Sequence, residues 1–146
     1  MLENFLISIT GKQEMDGETG EINLTTLGSY VQKGDKRFIV YKEYADSEEK
    51  PRTSILKVEK DGKVTLMHSG DATRLVLEAG KRHLCQYDTG YGSLMVGVFT
   101  SDVQTRLCEK GGDLKIHYTL DINASLSSRN EISVTVKEAG QESCQN

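Results

Sequence analysis

The segment that decides the fold is "LKIHYTLDINASL", residues 114–126. Every second residue in it is apolar, and the residues between are polar: the apolar set is Leu114, Ile116, Tyr118, Leu120, Ile122, Ala124 and Leu126. Because successive side chains of a strand point to opposite faces, this alternation predicts one strand with a buried and a solvent-exposed face. At about 3.3 Å per residue the strand would be about 40 Å long, a length that suits a curved strand in a barrel.

The rest of the chain repeats this period of two in short segments that are separated by turn sequences. "RFIVYKEY" and "NEISVTVKE" are rich in β-branched and aromatic residues, which favour strands. The turn sequences are "KGDK" (33–36), Asp61-Gly62, Ala79-Gly80 and "KGGD" (110–113), and the polar "SSRN" (127–130) separates the last two strands. Asp-Gly is among the strongest hairpin signals. Pro51 falls in a polar loop, outside every predicted strand.

About eight to ten strands joined by tight turns predict an antiparallel, up-and-down sheet. So many strands in 146 residues favour closure into a barrel, because closure removes exposed edges. We therefore predict an all-β closed barrel, residues 1–138, followed by a flexible tail, residues 139–146. The segment 101–112 stays open between a capped helical turn and a strand that continues past a bulge, and we favour the strand.

The stretch "YDTGYGSL", residues 87–94, lacks the lysine of a phosphate-binding loop and is not followed by a helical pattern. Glycine inside a strand pattern indicates a bulge or a bend, and barrels bend their strands in order to close. We interpret Gly90 and Gly92 as the bend, with Tyr87 and Tyr91 packed over the bare glycine backbone. Gly28 and Gly70 are the other candidate structural glycines.

The order of several segments resembles the bacterial YwiB-like family over residues 5–137. The segments are "LGSYVQKGDKRFIVYKEY", "ILKVEKDGKVTLMHSG", "YDTGYGSL", "TSDVQ" and "GGDLKIHYTLDIN". The matching positions are Gly28, Tyr30, Lys33, Tyr41, Glu43, Lys57, Val58, Ser69, Gly70, Tyr87, Gly92, Leu94, Thr100 and Tyr118. At the position before Ser69, relatives often have arginine, and this chain has His68. The resemblance implies a calycin-type, lipocalin-like barrel of unassigned function.

The charge and the cysteines limit the function classes. The net charge is −4, which argues against a nucleic-acid or anionic-membrane binder. No apolar run approaches the roughly 20 residues of a membrane span, and the amino terminus lacks the basic segment of a signal peptide. Cys85, Cys108 and Cys144 form no CxxC pair, so we predict free thiols and a cytoplasmic location.

The sequence offers no catalytic or metal-binding pattern. His83 and Cys85 share a strand face, but neighbours two residues apart in a strand lie about 6.5 to 7 Å apart, too far for a nucleophile–base hydrogen bond. His68 and His117 lie on other strands, with no carboxylate motif to complete a metal site. We predict no enzyme activity, no metal and no cofactor. A low-weight alternative is an enzyme that uses Glu43, Arg74 and Tyr87 at the barrel mouth.

The candidate binding residues are polar side chains that would face the barrel interior: Tyr30, Tyr41, Glu43, Arg74, Tyr87 and Tyr118. They could orient a small apolar or amphipathic ligand, or they could fill the barrel and hydrogen-bond one another. We favour a non-enzymatic small-molecule binder. The alternative is a protein-interaction module with a filled core. If residues 94, 96 and 98 point inward, Met95 and Phe99 point outward, where they could support a homodimer.

Overall fold

The computed structural model describes residues 4–43, 52–88 and 91–139, and the described chain forms ten strands. They are β1 Phe5–Met15, β2 Glu18–Lys33, β3 Lys36–Glu43, β4 Arg52–Val58, β5 Val64–Ser69, β6 Arg74–Leu77, β7 Arg82–Asp88, β8 Ser93–Cys108, β9 Gly111–Ile122 and β10 Ser125–Glu138. Pro51, Gly90 and the tail after Ala139 lie outside the described residues.

The ten strands form a closed barrel in which each strand pairs with its neighbours in sequence. Every named pair is antiparallel, and β1 closes the circle by pairing with both β2 and β10. This confirms the predicted up-and-down barrel and its strand number. The described residues contain no helix long and apolar enough to cross a membrane.

The segment 114–126, which predicted the fold, belongs to two strands, β9 and β10, rather than to one. Asn123 and Ala124 form a two-residue turn with φ angles of 52° and 66°, and Ser125 pairs back with Ile122. Asparagine tolerates this left-handed conformation. Because the turn has two residues, the alternation of apolar and polar residues continues through it without a break. The prediction of one long strand is therefore wrong after Ile122. The "SSRN" segment is also not a separator, because it lies within β10 next to a bulge.

The segment 101–112 is extended, as we favoured. Strand β8 runs unbroken to Cys108, and its pairing with β9 shifts by one residue between Thr100 and Asp102. After this bulge, Val103 and Leu107 pack against the core. The chain therefore continues as a strand past a bulge and not as a helical turn.

The core fills the middle of the barrel and the end where β2 turns into β3. The buried apolar residues come from nine of the ten strands; the largest fully buried side chains are Ile7, Ile39, Leu56, Leu77, Leu114 and Ile116. The turns at 16–17, 70–73 and 123–124 lie at the opposite end. We call this opposite end the mouth end, because there the interior is not filled.

The weakest ladder of the barrel lies between β6 and β7, where Arg74 and Gln86 form the one registered pair. Next to it, the backbone N–H of Val76 donates to the Sγ atom of Cys85 over 3.3 Å. The chain after β6 instead reaches β8, where the Gly80 N–H donates to the Thr100 carbonyl over 2.7 Å. A hydrogen bond to a thiol and a backbone hydrogen bond to β8 thus replace part of the β6–β7 ladder.

Two further predictions need correction. "YDTGYGSL" connects β7 to β8, and the Tyr91 side chain is fully exposed instead of packing over glycine. A connection between strands bends more cheaply than a strand interior, so Gly92 does not need aromatic cover. Cys85 is a buried free thiol, but Cys108 is disulfide-bonded. Spacing alone does not show which cysteines approach each other in space; Cys144 lies outside the described residues.

Candidate ligand cavity

A cavity of about 460 Å³ occupies the mouth end of the barrel interior. This volume lies within the range of small-molecule sites. Apolar side chains form most of its wall: Ile9, Leu24, Leu56, Leu66, Leu75, Leu120 and Ile132. Polar side chains enter it from β3, β5, β7 and β9. The cavity is therefore an apolar cup with a polar side.

The polar side begins with a row of residues that are paired across neighbouring strands. Gly28 pairs with Tyr41, Tyr41 with Ser54, and Ser54 with His68. A Cβ atom at Gly28 would overlap the Val40 carbonyl oxygen and the Ile7 Cδ1 atom. Glycine is thus required for the close approach of β1, β2 and β3 that places the Tyr41 ring, which is buried, in the cavity wall.

One step nearer the mouth, Glu43 and Arg52 form a cross-strand ion pair. The Arg52 Nε and Nη2 atoms both donate to Glu43 Oε2, over 3.2 and 2.9 Å. The Ser54 hydroxyl donates to the same oxygen over 3.3 Å. Charge-assisted hydrogen bonds of this kind hold Glu43 in place at the rim.

The same guanidinium connects to a second carboxylate. Arg52 Nη1 lies 3.9 Å from Asp71 Oδ2, and the His68 Nδ1 atom lies 3.3 Å from that oxygen. Asp71 Oδ1 accepts the Thr73 backbone N–H over 2.8 Å. Burial acts to raise the pKa of Asp71, but the hydrogen bonds from Thr73 and the neighbouring His68 outweigh it and lower that pKa.

Tyr118 enters the cavity from β9 and is only 9% exposed. Its ring lines the cavity, and its hydroxyl takes part in none of the hydrogen bonds found within residues 4–43, 52–88 and 91–139. Burial, with a smaller contribution from Tyr87, raises the pKa of Tyr118 to about 12. Among the described residues, Thr100 Oγ1 is the one fully buried side-chain polar atom without a partner, so the Tyr118 hydroxyl is not sealed inside the protein and is available to a molecule in the cavity.

Tyr41 lies close to both Glu43 and Tyr118. Burial is the main cause that raises its pKa, and the charge of Glu43 and the proximity of Tyr118 act in the same direction. Tyr41, Glu43 and Tyr118 therefore lie close enough to interact electrostatically. Tyr87, which also lines the cavity, is 37% exposed and stands at the rim.

The structure brings together four of the six predicted interior residues, namely Tyr41, Glu43, Tyr87 and Tyr118. Tyr30 faces the opposite end of the barrel, where its hydroxyl donates to the Cys108 carbonyl over 2.8 Å and accepts from Arg37 Nη1 over 3.2 Å. Tyr30 lies two residues beyond Gly28 towards the β2–β3 turn, so sharing a face with Gly28 was not sufficient to place it in the cavity.

Arg74 is also misplaced by the sequence prediction. It is exposed on the outer face of β6, whereas Leu75 is buried and lines the cavity. The strand is only four residues long, so its alternation gave too few positions to decide the inward face. The pairing of Leu75 with Leu66 fixes that face in the structure.

Sequence reasoning missed Arg52, Ser54, Asp71 and Thr73. Arg52 was assigned to the polar loop that contains Pro51, although Arg52, Ser54 and Leu56 share one face of β4. The spacing of Asp71 and Thr73 is a usable signal, because an aspartate often accepts the backbone N–H two residues later. Of the predicted glycines, Gly70 and Gly92 have φ angles of 95° and 140°, typical of turn positions that require glycine.

The side chains of His83 and Cys85 have different hydrogen-bond partners. The His83 Nε2 atom contacts Glu78 Oε1 at 2.9 Å, while the Cys85 Sγ atom accepts from Val76. Burial raises the pKa of the Cys85 thiol, which disfavours the thiolate. His117 lies 2.7 Å from Glu131 on the outer wall. Within the described residues, no three His, Cys, Asp or Glu side chains form a possible metal site.

The outer face of β7 and β8 exposes three large apolar side chains. Leu84 pairs with Gly97, and its diagonal neighbours are Met95 and Phe99. These three side chains are exposed, whereas Val96 and Val98 are buried. The predicted inward and outward faces of "SLMVGVFT" are confirmed by this arrangement.

The family described as "Domain of unknown function (DUF1934)" matches residues 7–134. The chain belongs to this family. Among solved structures, the YwiB protein from Bacillus subtilis is similar, with 23% identity, a TM-score of 0.80 and coverage of 94% of this chain and 92% of that one. No curated protein matches. The DUF1934 barrel is thus a YwiB-like, calycin-like fold, which assigns no activity.

Proposed function

We propose that this DUF1934 protein is a non-enzymatic binding protein that holds a small apolar or amphipathic molecule in the mouth-end cavity. The unpaired Tyr118 hydroxyl is the observation that supports this most strongly. In a filled barrel this hydroxyl would be sealed and would need a protein partner, because a buried polar atom without a hydrogen bond is destabilising; here it borders the cavity instead. A ligand with a polar atom near Tyr118 would supply the missing hydrogen bond.

The shape of the site supports the same function. Apolar side chains line the cup and favour an apolar body, while the tyrosines and Glu43 gather on one side and favour a single orientation. The network of Glu43, Arg52 and Asp71 holds the rim in a fixed arrangement without a bound molecule. Such preorganisation reduces the entropy that a ligand must lose on binding.

A fluorescence titration with N-phenyl-1-naphthylamine, a neutral, mostly apolar probe with one N–H donor, tests this proposal. We expect saturable binding to the wild type. Tyr118→Phe should weaken binding by about three- to tenfold, the scale of one hydrogen bond, with little loss of thermal stability. Tyr30→Phe is the matched control: it removes a hydroxyl that is already hydrogen-bonded at the other end, so it should lower stability and leave probe binding unchanged. Absence of saturable binding would contradict the proposal.

A protein-interaction role is the second candidate, and the exposed Leu84, Met95 and Phe99 favour it. Under this alternative the function would depend on the outer wall, and the cavity would be incidental. Sedimentation velocity of the wild type and Phe99→Ser separates the two: a dimer that Phe99→Ser dissociates would support the outer wall, and a monomer in both would not.

A further inference from the structure

The charge around the cavity restricts which ligand it accepts. Among the described residues, the carboxylates and the guanidinium at the polar side of the cavity are Glu43, Asp71 and Arg52. Two of these three groups are negative. An anionic head group that entered the mouth would meet like charge, and repulsion is stronger at a partly buried site than in water.

The one guanidinium near the polar side is engaged. Arg52 bonds Glu43 through two nitrogens and approaches Asp71 through the third. A ligand carboxylate would need to displace one of these protein carboxylates in order to bind Arg52. The cation at the rim therefore does not create an anion site.

The available groups at the polar side favour a head group that donates hydrogen bonds. Arg52 and Ser54 both use Oε2 of Glu43, while Oε1 of Glu43 accepts none of the hydrogen bonds found in the described part of the chain. The Tyr118 hydroxyl can accept as well as donate. Two residues that line the cavity, Glu43 and Tyr118, thus each have an oxygen that can accept a hydrogen bond.

On this basis, which rests on the proposed function, we infer that the cavity takes a molecule with an apolar body and a hydrogen-bond-donating head, a hydroxyl or a protonated amine, and that it discriminates against a carboxylate head. The apolar wall holds the body, Tyr118 and Glu43 hold the head, and the excess of negative charge at the rim excludes anions. Specificity therefore arises from repulsion of the wrong head group as well as from attraction of the right one.

Three probes of equal chain length test the inference by displacing N-phenyl-1-naphthylamine at pH 7.5: decylamine, 1-decanol and decanoate. We expect decylamine and 1-decanol to displace the probe at concentrations about tenfold lower than decanoate, since one charge interaction at a partly buried site is of this order. Glu43→Gln should narrow the gap between decylamine and decanoate to about threefold or less. Glu59→Gln, which changes a carboxylate paired with Lys63 at the far end, should leave the gap unchanged.

Each result decides between the two proposals. Equal or tighter displacement by decanoate, with Tyr118→Phe still weakening the probe, would overturn the head-group inference and leave the binding function in place. A gap that Glu43→Gln does not narrow would overturn the role of Glu43, and Asp71→Asn tests the same excess of negative charge should Glu43→Gln fail to fold. Failure of the neutral probe itself to bind would overturn the proposed function, and the inference with it.

Discussion

Tyr118 shows at the scale of one residue why the cavity is more than a packing defect. Its ring is buried, its hydroxyl is unpaired among the described residues, and its pKa is raised to about 12 mainly by burial. An ordinary tyrosine has a pKa near 10. The unfolded chain therefore loses this proton at lower pH than the folded chain does.

This difference predicts a pH dependence of stability. Between about pH 10 and pH 12 the folded state binds more protons than the unfolded state, so the free energy of unfolding should fall as the pH rises through this window. Urea unfolding at pH 9 and pH 11.5 should show a smaller loss for Tyr118→Phe than for the wild type. Equal losses would mean that the Tyr118 hydroxyl is solvated like that of a free tyrosine.

At the scale of the strand, the β9–β10 hairpin shows where pattern reasoning succeeds and where it stops. Alternation correctly placed Leu114, Ile116 and Tyr118 inside. It failed at Asn123 and Ala124, because a two-residue turn preserves the period of two and leaves no break in the pattern. Pattern reasoning also fails for short strands, because few residues give few alternations. Strand β6 has four residues, and Arg74 was assigned to the wrong face.

The turn itself carries a prediction. Ala124 has a φ of 66°, a conformation that costs a residue with a Cβ atom about 1 kcal/mol and glycine almost nothing. Ala124→Gly also creates the Asn-Gly sequence that this turn type favours. We expect it to raise the free energy of unfolding by about 0.5 to 1 kcal/mol, measured by urea denaturation. A decrease would show that the loss of side-chain restriction in the unfolded chain outweighs the relief of strain.

At the scale of the whole molecule, the sequence predicted the closed barrel well and the site only in part. Hairpin turns and alternation are local, and they determine a meander whose edges must pair. The cavity depends on which of many inward residues meet across the barrel. That depends on register, which brings Arg52 beside Glu43 and separates Tyr30 from Tyr41 and Tyr118. No local pattern in the sequence specifies such long-range neighbours.

The central claim, that the mouth-end cavity is the binding site, is tested most directly by filling it. Leu66 lines the cavity between Leu56 and Leu75, whereas Leu84 is 66% exposed on the outer wall. We predict that Leu66→Trp weakens N-phenyl-1-naphthylamine binding by at least about tenfold, since the indole occupies the volume of the probe. Leu84→Trp should bind the probe like the wild type. Unchanged binding by a folded Leu66→Trp variant would contradict the account.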